Sequence, residues 1–325
     1  MSRSRKAHIL LVLVTFLWGA TFVLVKDALN DISPFLFNAI RFCLGSAALV
    51  FIYRKHLPRF TAGSLRSGLV VGTFLWLGYE FQNAGLKLTT PSKAAFITGL
   101  AVVLVPLLLA IFWRKVVNAW AGAGVVSALV GMYLLTVPAG GTGLNLESMN
   151  RGDLLVLVAS IAFAFHIIFL GHASQNHAYE QIAILQTGVA AILMSGTALI
   201  GEKTSVVWSP PVIWALIVTS LGCTAAGFTI QAWAQQFTPA THTALIVSLE
   251  PVFAWIVAFF TVHERLGRRS GVGAVLMLAG VLISELKGRS EAAIPGASIA
   301  AETEESSKKF SSDKNEASVD VGRQS

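Results

Sequence analysis

The stretch HILLVLVTFLWGATFVLV, residues 8–25, decides the fold. It carries no Lys, Arg, Asp or Glu, and its length approaches the roughly 20 apolar residues that a helix needs to cross a hydrocarbon core about 30 Å thick. No water is present there to satisfy N–H and C=O groups, so a helix, whose backbone bonds close within the segment, is the element that fits. Arg3, Arg5 and Lys6 flank it on the N-terminal side. This opening imitates a secretory signal peptide. No small-x-small cleavage site closes the run, however, and further apolar segments follow, so it reads as a retained first span.

Working outward, the same reading predicts membrane helices at 8–25, 34–53, 67–86, 92–113, 119–137, 153–170, 180–200, 212–233, 241–262 and 270–286. Pro34, Pro58, Pro91, the Gly-rich stretch 138–143, Pro210, Pro211 and Pro239 punctuate them. Composition agrees: 54% of residues are hydrophobic and 13% charged, against about 25% charged in an ordinary soluble domain. The net charge of +7 does not imply nucleic acid, because the basic residues flank apolar segments and form no patch with interleaved aromatics. Cys43 and Cys223 lie inside apolar segments and read as membrane-embedded thiols. Residues 287–325 turn polar and charged, a composition that cannot bury enough apolar surface to order, and are expected to form a disordered cytoplasmic tail.

The chain repeats. LLVLV at 10–14 recurs at 154–158, Gln82 with Thr90 and Pro91 recurs as Gln231 with Thr238 and Pro239, and Pro106 recurs as Pro251. Gly124 and Gly131 recur as Gly273 and Gly280. The shared order and the nearly constant offset of 144–149 residues argue for a duplication. An odd number of spans per copy makes the second copy enter from the opposite side. The expected fold is therefore an all-α membrane protein of ten helices in two inverted five-helix repeats, 8–137 and 152–286, an architecture that places a solute site near the midplane. The bias of Lys and Arg in the first half, from Arg3 through Arg54, Lys55, Arg59 and Arg66 to Arg114 and Lys115, sets both termini inside. The second half opposes this with Arg151, Lys203, Arg265, Arg268 and Arg269 outside; the first half governs the assignment.

Several stretches resemble the EamA family of the drug/metabolite transporter superfamily. Trp18-Gly19 with Phe22 is similar to its opening signature, and Pro34, Phe37 and Arg41 to its second-span pattern. GLKLTT (85–90), AAFITGL (94–100) and Val105-Pro106 resemble the middle of its first repeat. Most specific are QAWAQ (231–235), SLEP (248–251), HERLG (263–267) and Gly280. The resemblance covers most of 8–285 and implies ten helices with cytoplasmic termini. It leaves the substrate open, because the family handles amino acids, metabolites and xenobiotics. Lys115 departs from the pattern, standing where the second repeat has Glu264.

A charge at a helix centre in lipid costs on the order of 2.5–3.5 kcal/mol by insertion scales, so each one is a functional hypothesis. Glu250 reads as a cation or proton site, or as a carboxylate locked to a neighbouring helix. The family resemblance implies that its Glu-Pro pair is shared across many substrates, which favours an architectural or coupling role. Pro251 and Pro106 are expected to break their helices. Arg41 suits bidentate capture of an anion, an ion pair, or snorkelling to the interface. Glu80, among Tyr79, Phe81, Gln82 and Asn83, is expected on a cavity wall specific to this protein's substrate. His166 matches Phe22 in the repeat and serves as a proton relay or, as favoured, a hydrogen-bonded residue facing the bundle. Gln82 and Gln231 are matched amides, and Trp18, Phe22, Trp76, Tyr79 and Trp233 either line a pocket or face lipid. Glycines 45, 124, 131, 227, 273 and 280 read as helix contacts. His172 and His177 have no partners at metal spacing, and no metal or cofactor is expected.

No Gly-Lys-Ser/Thr triplet exists to bind nucleotide phosphates. An intramembrane enzyme lacks a mid-span aspartate or a Gly-x-Ser triplet outside the tail, and a receptor would need an output domain. The resulting expectation is a secondary transporter in the plasma (inner) membrane, monomer or homodimer, moving a small metabolite or drug-like solute by alternating access. Its first span, 8–25, holds no acid, so either coupling to protons or another ion uses Glu80 or Glu250, or transport is uncoupled exchange or facilitated flux. The topology is testable with fusions. A reporter after Gly288 is expected in the cytoplasm and one near Gly141 outside; opposite signals at both would overturn the orientation, and an external terminus alone would refute ten spans.

Overall fold

Helix starts are written locally. Ser2 accepts the Arg5 N–H to open α1 (Arg3–Ala28), Pro34 takes the first position of α2 (Pro34–Ile52), and Thr61 and Ser64 form a capping box for α3 (Ala62–Leu88). Side-chain oxygens at these positions satisfy N–H groups that have no partner within the helix, and proline has none to lose there. Next come α4 (Pro91–Gly99), α5 (Ala101–Trp113) and α6 (Ala119–Thr136). A second capping box, Asn150 with Asp153, opens α7 (Arg151–Asn176). The chain continues through α8 (Tyr179–Ile200), α9 (Pro210–Ile217), a wide π-helical segment (Val218–Ala226) and α10 (Gly227–Ala234). It ends in α11 (Ala240–Val247), α12 (Glu250–Val262) and α13 (Arg268–Lys287). The computed structural model describes residues 2–89, 91–115, 118–136, 150–262 and 267–287. The Gly-rich stretch 138–143, His263, Glu264 and the expected tail past Lys287 lie outside the described residues.

Among the described residues, seven helical stretches are long and apolar enough to cross a membrane: Arg3–Ala28, Pro34–Ile52, Ala94–Trp113, Arg151–Asn176, Tyr179–Ile200, Pro210–Ala234 and Ala240–Val257. Three expected spans are not among them. The helix α3 is long enough but carries Arg66, Glu80 and Lys87, while the apolar runs Ala119–Leu134 and Gly271–Ile283 are shorter. Phe51, Ile192, Leu199 and Ile200 stand more than two-thirds exposed at 70%, 73%, 83% and 89%, a surface suited to lipid and unsuited to water.

The two prolines expected to break helices behave differently. In the second half the helix is interrupted at Ser248 and Leu249, and Pro251 lies in the first turn of α12. Pro106 instead sits inside α5, and the interruption falls earlier, at Leu100, after Gly99. There the Leu100 N–H turns back to the Ile97 carbonyl at 3.2 Å, a tightened turn. Flexible Gly99 provides the break, so Pro106 is corrected to a helix-interior proline.

Packing between the halves is reciprocal. A Cβ at Gly131 would lie 2.5 Å from the Gly273 carbonyl oxygen, and one at Gly280 would lie 2.6 Å from that of Gly124. These are the four glycines of the sequence repeat, so α6 and α13 touch backbone to backbone at two equivalent points. Gly85 and Gly152 do the same between α3 and α7, at 2.6 and 2.7 Å. The α3–α7 contact is answered by α1 against α9 and α10, and the α1–α12 contact by α7 against α4 and α5. One end of the bundle is laced by polar ties. Lys26 donates to the carbonyls of Leu86, Lys87 and Thr89 at 2.7–3.0 Å, and Thr89 donates to Asp153 at 2.7 Å. Ile32 bridges to Val206, and Glu202 accepts the N–H groups of Phe35 and Leu36 that open α2. At the opposite end, Gln181 donates to the Arg59 carbonyl, Gln236 to that of Ser174, and His56 approaches Glu180.

A substitution tests the backbone contact. Gly131→Val forces atoms into the Gly273 carbonyl, and overpacking of this kind costs about 1–3 kcal/mol. Its thermal unfolding in detergent should fall well below that of the parent. Gly122→Ala, where a Cβ meets nothing within 4 Å, should unfold with the parent; equal stability of Gly131→Val and Gly122→Ala would show that the α6–α13 contact is not close.

Candidate functional site

The Trp18-Gly19 motif in the middle of α1 meets the Glu250-Pro251 motif that opens α12. Because Gly19 has no side chain, α1 approaches the start of α12 so closely that a Cβ there would lie 2.5 Å from the Glu250 carbonyl oxygen. Glu250, the first residue of α12 beside the interruption at 248–249, is thereby brought alongside Trp18. The indole of Trp18 is fixed in turn: its Nε1–H donates to the Cys223 carbonyl at 3.1 Å in the π-helical segment. That segment comes against α2 at Gly45, whose added Cβ would lie 2.9 Å from the Ser220 carbonyl oxygen.

Arg41 is held next to it. Its Nε donates to Thr224 Oγ1 at 2.9 Å and Nη2 to Tyr79 Oη at 3.3 Å. Its guanidinium lies 4.5 Å from the centroid of the Tyr79 ring, within the range of a cation–π contact. With only 4% of its surface exposed, Arg41 does not snorkel. Nor does it form an ion pair within 4 Å among the described residues. Glu250, also buried, has neither an ion pair nor a hydrogen bond to its carboxylate among them.

Two adjoining cavities contain these groups. The first is lined by Arg41, Glu250, Trp18, Phe22, Tyr79 and Gln82, with Thr21, Val25, Asn83 and Leu86. The second has Phe163, His166, Phe228 and Gln231, with Thr98, Ala101, Ile167 and Val247, around the same Trp18, Tyr79, Gln82 and Glu250. Four side chains thus stand between the cavities and belong to both. Toward the laced end lies the cationic Arg41. Away from it the walls are aromatic, and Gln231 Oε1 is buried without a partner among the described residues. His166 Nε2 meets Gln186 Oε1 at 2.9 Å and its ring packs edge-on against Phe228, as a histidine facing the bundle. Gln82 donates to Thr98 at 3.1 Å, tying α3 to α4.

Of the residues expected at the site, Trp18, Phe22, Arg41, Tyr79, Gln82, His166, Gln231 and Glu250 come together. Glu80 does not: it lines neither cavity and turns to α8, where Thr197 meets its Oε1 at 2.9 Å. Adjacent residues on a helix point about 100° apart, so Tyr79 and Gln82 face inward while Glu80 faces the neighbouring helix. Trp76 and Trp233 also lie outside both cavities; the Trp233 ring packs under Lys6. Phe228, Phe163 and Thr98 were missed. Phe228 was findable, since it precedes Gln231 by three residues as Tyr79 precedes Gln82. Thr98 lies within the family-resembling stretch AAFITGL (94–100) but was not singled out there, and Phe163 gave no signal beyond ordinary span composition.

Comparisons with known proteins bear on the family and the fold. A model described as the EamA-like transporter family matches residues 5–137 and 150–286. An "Uncharacterized transporter" of Archaeoglobus fulgidus is 33% identical over 277 residues, covering 85% of each chain. The "Probable amino-acid metabolite efflux pump" of Escherichia coli is 25% identical over 298 residues, covering 86% of this chain and 95% of that one. A solved crystal structure shares the fold with a TM-score of 0.71 at 17% identity, over 87% of this chain and 98% of that one. With the family model matching on both sides of the chain's midpoint and apolar helices throughout, this chain belongs to the EamA-like transporter family and is a multi-pass membrane transporter.

Proposed function

We propose that this chain is a secondary transporter that moves a small zwitterionic solute with an apolar body by alternating access. The observation that carries the reading is the placement of Arg41 and Glu250 on one cavity without an ion pair between them. A ligand that brings a carboxylate to Arg41 and an ammonium group to Glu250 satisfies both charges, and the aromatic walls of the second cavity receive its apolar part. Gln231 Oε1 supplies a further acceptor for the ammonium group. The name of the Escherichia coli relative, which speaks of amino-acid metabolites, is consistent with this class. The bilayer and the small solute are the partners, and no catalytic step is assigned.

The mechanism follows from the shared wall. Trp18, Tyr79, Gln82 and Glu250 separate a cavity nearer the laced end from one nearer the other end. Shifting that wall transfers a bound solute from one to the other. Two inverted five-helix repeats, 8–137 and 152–286, are supported by the reciprocal glycine contacts and by the paired helix contacts between halves. The ten-span reading adds α3, α6 and α13 to the seven long apolar stretches. With the N-terminus inside, the laced end faces outward and both termini lie in the cytoplasm.

Purified protein in liposomes, assayed for uptake of radiolabelled L-phenylalanine, phenethylamine and 3-phenylpropionate, tests this. The parent should favour L-phenylalanine. Glu250→Gln should selectively weaken transport of the two amines, and Arg41→Gln that of the two carboxylates, each by on the order of 10–100-fold, as expected when a hydrogen bond to a charged group worth about 1.5–3 kcal/mol is lost. Equal scaling of all three compounds in both variants would overturn the assignment of charges.

A further inference from the structure

One buried acid has no place in the transport cycle just described. Glu80 is 5% exposed, its Oε1 lies 2.9 Å from Thr197 Oγ1, and its Oε2 is buried without a partner among the described residues. The residue sits on the seam where α3 of the first half packs on α8 of the second. An ionised carboxylate needs several donors when it leaves water, and a neutral carboxyl far fewer. The Thr197 hydroxyl has one proton to give and three acceptors within reach: Glu80 Oε1, and the carbonyls of Met194 at 2.9 Å and Leu193 at 3.3 Å. If the hydroxyl serves its own helix, as threonines in helices commonly do, the bond to Glu80 must run the other way, with the carboxyl O–H donating to Thr197 Oγ1. That arrangement requires a proton on Glu80.

We propose that Glu80, Thr197 and the α3–α8 seam form a proton-binding site distinct from the solute cavities, in which the bound proton holds the seam shut. The charged groups around it fit. Glu202, just past the end of α8, is the charge that acts on it, and that carboxylate is committed to the N–H groups of Phe35 and Leu36. From α2, the Asn38 amide, which donates to the Tyr79 carbonyl, is the second hydrogen-bond donor beside the carboxyl after Thr197, and Arg41 is turned to Tyr79 and Thr224. Thr197, Asn38 and Glu202 are the groups that act on the carboxyl, and none of them is a cation. No cation therefore neutralises a carboxylate there, and release of the proton leaves an anion that must draw water between the helices. Thr197 lies three residues from the end of α8 at Ile200, so the proton exchanges with water at the laced end. No other reactant is needed. Glu80 is adjacent in sequence to Tyr79 of the shared wall, so opening the seam shifts that wall. This use of the site rests on the transporter reading, whereas its occupancy by a proton does not.

The test uses the full chain in lipid nanodiscs without solute. Infrared spectra of protein carrying ¹³C-labelled glutamate should show a protonated carboxyl band that is lost as pH rises and is missing from Glu80→Gln. Hydrogen–deuterium exchange, corrected for its intrinsic pH dependence, should rise in peptides 76–88 and 190–200 by up to about tenfold per pH unit, the dependence of an opening that releases one proton. In Glu80→Gln the same peptides should stay protected at every pH, and in Thr197→Val the midpoint should move. Absence of a Glu80 carboxyl band at every pH, or the same exchange profile in parent and Glu80→Gln, would overturn the site. If L-phenylalanine is not carried while the band and the exchange respond as stated, the proposed solute is wrong and the proton site stands.

Discussion

Arg41 and Glu250 stand inside a bundle whose outer surface is apolar, and the cost of placing them there governs what surrounds them. Each charge at membrane depth is unfavourable by insertion scales on the order of 2.5–3.5 kcal/mol. Arg41 is stabilised by a hydroxyl, a phenol and the face of an aromatic ring. Glu250 is left facing the cavity. A direct ion pair would neutralise both and close the site. Holding them on one cavity but apart keeps their electrostatic demand available to a solute that carries the opposite pair of charges.

Close helix contact makes that separation possible. Gly19 admits the start of α12 and sets how near Glu250 comes to Trp18. Gly45 admits the π-helical segment, whose Cys223 carbonyl and Thr224 hydroxyl then receive Trp18 and Arg41. Wide π-type turns recur at functional positions because they displace carbonyls from the regular ladder. The interruption at Ser248 and Leu249 does similar work for Glu250, by making a residue in mid-membrane the first of a new helix. The glycine contacts between α6 and α13 tie the two halves together.

Much of this was legible in the chain. Apolar length identified the long membrane helices, and the repeat offset paired Phe22 with His166 and Gln82 with Gln231, all of which reach the cavities. It also paired the four glycines that meet across α6 and α13. The same signals misled where they depend on direction. Glu80 sits between two cavity residues in sequence, yet the helical turn carries it to the opposite side. Pro106 matches Pro251 in the repeat, but Gly99 and Leu100 take the break. Hydropathy under-reads α3 because a helix that lines a polar cavity and contacts its neighbours needs Glu80, Gln82 and Asn83.

The central claim is that one wall of Trp18, Tyr79, Gln82 and Glu250 separates two cavities that open in turn. In protein with Cys43 and Cys223 replaced by alanine, single cysteines at Thr21 in the first cavity and Ile167 in the second can be labelled with a membrane-impermeant thiol reagent from each side. The account predicts that Thr21→Cys reacts only from the side of the laced end and Ile167→Cys only from the other. It further predicts that L-phenylalanine raises one rate while lowering the other. Both positions reacting from the same side, with rates that rise together, would contradict it and describe a continuous pore.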